Sequence, residues 1–175
     1  MEISPKPLPI AGVTLSTVCA GIRKVEHPDL TLIQIVPDAS VAAVFTQNVF
    51  CAAPVTLARQ HLITHTPRLL VINSGNANAG TGAQGMADAR SVCHAAGEGL
   101  GCSSEQVLPF STGVIGQRLP AEKITAALDA ALANLQEDAW AAAAVGIMTT
   151  DTVPKCVSQE VNVGGQRYRI TGIAK

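Results

Sequence analysis

Between Arg68 and Leu100 an apolar run, a glycine-rich loop and a helical repeat follow one another directly, the order of strand, loop and helix. Arg68 to Asn73 (RLLVIN) has the composition of a buried strand. Ser74 to Gly82 (SGNANAGTG) contains only small residues and asparagines. Met86, Ala89, Cys93, Ala96 and Leu100 then recur near the helical period, and Gly97, Gly99 and Gly101 punctuate the end. A strand that passes through such a loop into a helix presents amides at the helix N-terminus, where anions bind. The spacing, however, is not GxGxxG, and no GK[ST] closes the loop, which argues against a nucleotide P-loop. Two readings stay open for Ser74 to Gly82: a well-capped turn, or a loop that binds a small ligand.

The flanks supply strands and further helices. Residues 1–9 hold Pro5, Pro7 and Pro9 and predict an extended arm or edge segment. Val13 to Lys24 is strand-like, interrupted at Gly21, and Leu30 to Val36 (LTLIQIV) alternates as a strand does. Pro37-Asp38 marks a turn, and Val41 to Thr46 (VAAVFT) is another strand candidate. Pro54 to Leu62 opens a helix. Ser103 to Gln106 carries a capping box. Pro120 to Leu135 is the clearest helix, with Ile124, Leu128, Ala131, Leu132 and Leu135 in one stripe. Asp138 is placed to cap a second helix, Ala139 to Val145. Cys156 to Val163 and Gln166 to Ile173 flank Gly164-Gly165, a two-residue hairpin signal. The pattern as a whole predicts an α+β fold, with sheets flanked by helices.

Charge and composition narrow the function classes. A formal net charge of −1, with 14% charged residues, supplies no basic field for nucleic acid. Aromatics are 3% of a chain that is 47% hydrophobic, so the core is aliphatic and packed around small side chains. The longest apolar run, Ala139 to Met148, is too short to span a bilayer, and the N-terminus has no signal-peptide pattern. A soluble protein is expected. The five cysteines are widely spaced with no CxxC, which points to a reduced, cytoplasmic chain. His61 and His65 stand at the i, i+4 spacing of a helical metal pair, but no third ligand accompanies them, and no metal is expected.

Two short segments carry hydroxyls next to glycine or apolar flanks. Ser111-Thr112-Gly113-Val114-Ile115-Gly116 follows the apolar Val107 to Phe110. The Thr112 hydroxyl and Gly113 amide are both donors, and aimed at one point they form an oxyanion hole. The alternative is a strand-to-loop turn in which glycine relieves strain. Ile147-Met148-Thr149-Thr150-Asp151-Thr152-Val153-Pro154-Lys155 puts threonines and an aspartate between apolar residues and a proline. That composition reads as a strand or its edge, either lining a polar pocket or simply solvated on one face.

These segments together resemble a known family. Asn73 to Ala79 with Thr81-Gly82, then Ser111 to Gly116, then Ile147 to Lys155, and the closing Ile170-Thr171-Gly172-Ile173-Ala174-Lys175 are similar to the bifunctional ornithine acetyltransferases, also called glutamate N-acetyltransferases (the ArgJ type), of arginine biosynthesis. The resemblance runs in order along the whole chain. It implies the self-cleaving DmpA/ArgJ-like fold, and a precursor that cuts itself into an α and a β chain, assembled as an α2β2 heterotetramer. Residues 1–175 would then be a single α-chain domain ending shortly before the cleavage site. The nucleophile would be the threonine that begins the β chain, with its own α-amine as general base. Acetyl would pass from N-acetylornithine to that threonine and on to glutamate, and acetyl-CoA is a further donor in some members. No other cofactor is implied. By resemblance Thr112 and Gly113 match the oxyanion hole, and Thr149 and Lys175 match substrate-binding positions, with Thr150 able to exchange with Thr149. Two other functions stand beside this one: a related self-cleaving aminopeptidase or amidase α chain, and a small-molecule binding module using Ser74 to Gly82.

Overall fold

The computed structural model describes residues 7–22 and 26–175. A four-stranded sheet in the order β1-β2-β3-β4 is built from Val13–Val18, Leu30–Ile35, Leu69–Asn76 and Val107–Val114. β1/β2 and β2/β3 pair antiparallel, and β3/β4 pair parallel. The parallel pair follows from the helix between them, α2 (Gly82–Leu100), because a parallel return needs a crossover. The other helices are α1 (Ala53–Thr64), α3 (Ala121–Ala133) and α4 (Trp140–Gly146). β5 (Lys155–Val163) and β6 (Gln166–Ala174) form a separate antiparallel hairpin.

Strand alternation sorts the core into two layers. From β2, Leu30 and Leu32 join Leu69 and Val71 of β3 against Val92, Ala96, Ile124 and Leu128 of α2 and α3. On the opposite face Leu15 and the half-buried Ile33 pack with Trp140, Ala143 and Ala144 of α4 and Cys156 of β5. Small residues set the spacing here. A Cβ on Gly146 would stand 2.3 Å from Thr17 Oγ1 and 2.5 Å from Thr31 Oγ1, so α4 lies directly on β1 and β2. Ser74 Oγ donates to the Gly146 carbonyl at 2.7 Å and ties the C-terminal end of α4 to β3.

Most of the expected elements are present, with instructive shifts. The arm predicted for residues 1–9 falls partly outside the described residues, as does the Arg23–Lys24 end of the first strand-like segment. Leu8 of that arm is held by the hairpin: its amide donates to Ser158 Oγ at 2.9 Å, and Thr171 Oγ1 donates to its carbonyl at 2.7 Å. The capping box is formed by Ser103 and Gln106. Asp138 does not cap α4, whose N-cap position is Ala139. Val41 to Thr46 is irregular rather than a strand. Its β-branched composition has no strand beside it to pair with, and Val44 is 99% exposed. Residues 147–154 are bends and loop, and strand geometry begins only at Lys155.

Two titratable side chains are committed to the interior. His61 is buried, with Nδ1 2.8 Å from the Val107 carbonyl, and so joins α1 to β4 instead of making a metal pair with His65. Cys93 is fully buried in the main core, and burial, aided by Glu105, pushes its thiol up to about 12. A thiolate is the reactive form. At pH 8 Cys93 is therefore expected to resist iodoacetamide in the native protein while the exposed Cys19 is alkylated. Peptide mass mapping after brief labelling checks this, and equal labelling of the two would contradict the packing described.

Candidate active site

The candidate residues Thr112 and Gly113 lie at the C-terminal ends of the parallel strands, where strand-to-helix loops leave side chains and amides open to ligands. β4 continues through Ser111, Thr112 and Gly113 to Val114, so the motif is the end of a strand and not a turn after it. Thr112 lies opposite Ser74, and Gly113 opposite Gly75. The ladder is bulged at Gly75-Asn76, so that Asn76 faces both Thr112 and Val114. Gly113 has φ +137°, and a Cβ there would lie 2.3 Å from the carbonyl carbon of Gly75. Glycine is thus fixed at this position by backbone shape and by the approach of β3.

A chain of buried amides holds the bulge. Ser111 Oγ donates to Asn73 Oδ1 at 2.6 Å, and Asn73 Nδ2 donates to the Asn76 carbonyl at 2.8 Å. Asn76 Nδ2 reaches the carbonyls of Gln117 and Arg118 at 3.2 and 3.0 Å. The Asn78 amide donates to Asn76 Oδ1, and Asn78 Nδ2 to the Gly85 carbonyl, both at 2.8 Å. Asn78 pays for this with φ +45°, which asparagine tolerates better than most residues. Asn73, Asn76 and Asn78 are each at most 5% exposed. The Ser74 to Gly82 loop therefore spends its side chains inward, as scaffolding for the Thr112-Gly113 strand end. The sequence signal was present in three asparagines among small residues, but it does not say which way they face.

Thr112 borders a cavity of about 400 Å³. One wall is the sheet face of Ile72, Leu108 and Phe110, another is α1 at Pro54 and Ala58, and the loop at 43–46 closes a third side. Lys175 lines the same cavity, and Gly113 does not. An apolar cavity with a few polar groups is the usual form of a small-molecule site. The irregular 43–46 segment, read from composition as a strand, is a wall of that cavity.

Lys175 arrives there through the hairpin register. Lys155 pairs with Ala174, which brings the residues before β5 beside the residue after β6. Asp151 sits between them. Its Oδ1 accepts from Lys155 Nζ, and its Oδ2 lies 3.4 Å from Lys175 Nζ. The Thr149 amide also donates to Oδ2, at 3.3 Å. The hydrogen bond from Lys155, then the Thr149 amide and the contact with Lys175, hold the Asp151 carboxyl far below the usual carboxylate range. Of the sequence-predicted residues, Thr112 and Lys175 thus share one cavity. Thr149 is linked to Lys175 through Asp151 and is not among the cavity's lining residues. Among the described residues no group of three or more His, Cys, Asp or Glu is placed to hold a metal ion.

The sequence and the fold are similar to those of known proteins. The family model described as the ArgJ family matches residues 14–175. The arginine biosynthesis bifunctional protein of Psychrobacter arcticus is 53% identical over 95% of this chain and 41% of its own length. The protein of the same name from Neisseria gonorrhoeae is 54% identical over 99% of this chain and 43% of its own length. The chain thus spans about two fifths of the length of the curated relatives it matches. A crystal structure of the ornithine acetyltransferase of Mycobacterium tuberculosis, complexed with ornithine, superposes with a TM-score of 0.87 at 33% identity, covering 98% of this chain and 92% of that one. Matched along nearly all its length by the family model, by relatives above half identity and by a solved fold of the same shape, the chain belongs to the ArgJ family.

Proposed function

We propose that this chain is the α portion of a self-cleaved N-acetyltransferase that moves acetyl from N2-acetyl-L-ornithine to L-glutamate in arginine biosynthesis. The observation that carries the reading is that Thr112, at the end of β4, and Lys175 line one cavity. The relatives' lengths support a second chain: the solved chain is close to this one in size, whereas the curated relatives are more than twice as long. The partner is the β chain of the same precursor, in an α2β2 assembly in the cytoplasm.

In this mechanism the β chain's N-terminal threonine attacks the acetyl carbonyl carbon, and its proton passes to the threonine's own α-amine. The carbonyl electron pair moves onto oxygen. The Thr112 hydroxyl and Gly113 amide donate to that oxyanion, Thr112 from the cavity lining and Gly113 from the next position on the strand end. The C–N bond then breaks as the ornithine amine takes up the proton, leaving acetyl on the threonine oxygen. The amine of glutamate attacks the ester, the same donors serve the second oxyanion, and the threonine hydroxyl is restored. Thr149 and Lys175 bind the substrate, Lys175 through a carboxylate. Acetyl-CoA acts as a second donor, in keeping with the relatives' description as bifunctional.

The isolated chain is expected to transfer no acetyl group, because the nucleophile is supplied in trans. Transfer of labelled acetyl from N-acetylornithine to glutamate, assayed for this chain alone and for the two chains co-purified, checks it. Transfer by the chain alone would refute the division of labour. Hydrolysis without transfer by the pair would assign an amidase instead.

A further inference from the structure

Asp151 belongs neither to the strand end nor to the cavity lining, yet the cavity's cationic group depends on it. Its side chain is 10% exposed and takes two ammonium groups, Lys155 on Oδ1 and Lys175 on Oδ2. Lys155 is 45% exposed and Lys175 26%, so Lys155 faces water while Lys175 is drawn toward the interior. The two positive charges and one negative leave this side-chain trio a net +1, with Lys175 the member that lines the cavity. A lysine stem is flexible and strongly hydrated, and it is a poor aiming device unless something fixes its head. Below Asp151 the segment is anchored: Ile147 donates to the Ala143 carbonyl and Met148 to the Val145 carbonyl, each at 3.1 Å, and Ser74, the register partner of Thr112, holds the Gly146 carbonyl. The carboxylate is therefore fixed relative to the Thr112 strand end.

We propose that Asp151 is a positioning residue that aims the Lys175 ammonium at the cavity beside Thr112, with Lys155 balancing the carboxylate so that the site keeps one net positive charge for the carboxylate of an amino-acid substrate. This rests on the reading of Lys175 as a substrate-binding group. Asp151 touches no substrate in this scheme. It acts by removing the freedom of Lys175 before binding, which lowers the ordering cost that a bound carboxylate has to offset.

Asp151→Asn isolates the charge, since its amide oxygen still accepts the Thr149 amide. The test uses the co-purified two-chain protein and reads ornithine binding by calorimetry separately from acetyl transfer. Asp151→Asn is expected to weaken ornithine binding about tenfold. In a Lys175→Met background the same substitution is expected to change binding by less than about twofold, because its effect runs through the lysine. Asp151→Glu, which keeps the charge, recovers part of the loss. Equal weakening in both backgrounds, or no weakening in either, overturns the proposal, and absence of ornithine binding by the parent overturns both it and the functional reading. Coupled weakening in a protein that transfers no acetyl group leaves the positioning role standing and removes the acetyltransferase reading.

Discussion

Thr112→Val is expected to lower kcat for acetyl transfer by about one hundred- to a thousandfold while KM stays within about threefold of the parent value. Valine keeps the branched Cβ that suits β4 and deletes only the hydroxyl. Thr112 is half-buried at the strand end, so the change opens no large void and leaves the bulged ladder with Asn76 in place. In the proposed role it removes a donor whose strength is felt only when charge develops on oxygen. An oxyanion donor binds the planar carbonyl weakly and the tetrahedral intermediate strongly, and for that reason the loss falls on kcat. Thr112→Ser restores the hydroxyl without the methyl group and is expected to return most of the rate. Steady-state kinetics of the co-purified chains decide the matter. An unchanged kcat for Thr112→Val would sink the oxyanion role, and a rise confined to KM would make Thr112 a binding group instead.

What the sequence disclosed, and what it hid, divides along sequence separation. The Gly164-Gly165 hairpin, the Ser103 to Gln106 box and the α3 stripe of Ile124, Leu128 and Ala131 rest on short-range patterns and are present, although α3 ends at Ala133 and leaves Leu135 beyond it. The threonine run misled for a physical reason. Its β-branched residues favour extended backbone, but strand geometry needs a partner, and among the described residues no ladder pairs with 147–154. Asp151 and Lys155 were visible at i, i+4, a spacing that carries meaning on a helix and little on the strand expected there. The second cation, Lys175, lies 24 positions on from Asp151, and only the hairpin register brings it back. The asparagine loop shows the same limit. Composition marks Asn76 and Asn78 as loop residues, and the carbonyls that absorb their side-chain amides, at Gly85, Gln117 and Arg118, are set by packing. The family resemblance rested on motifs as strings. The structure adds that Thr112 and Lys175, 63 positions apart in the chain, border one cavity.

The second large effect separates two reasons for glycine within a single motif. Gly113→Ala is expected to destabilise the protein by roughly 3–6 kcal/mol, the sum of a strained backbone and an overpacked contact. At φ +137° alanine is strained whatever surrounds it, and here its Cβ would also lie 2.3 Å from Gly75 C, 2.5 Å from Gly75 O and 2.6 Å from Asn76 N. Those atoms are main chain on the neighbouring strand, fixed by the Asn73-Asn76 bond, and cannot swing aside as a side chain would. Gly116→Ala meets only the first cost. Gly116 has φ +78°, nothing lies within 4 Å of its would-be Cβ, and the expected loss is about 1 kcal/mol. A destabilisation lowers the melting temperature by a few degrees per kcal/mol in a small domain and by less in a larger one, so Gly113→Ala should melt clearly below Gly116→Ala, by several degrees, in thermal unfolding of the co-purified chains. Coincident melting temperatures would mean that β3 yields to the added methyl group and that the Gly75–Gly113 contact does not fix the strand end. A separation of that size, together with loss of acetyl transfer in Gly113→Ala and its retention in Gly116→Ala, would tie the donor geometry at Thr112-Gly113 to the approach of the two parallel strands. The catalytic demand on the motif and the packing demand on it would then be met by the same backbone.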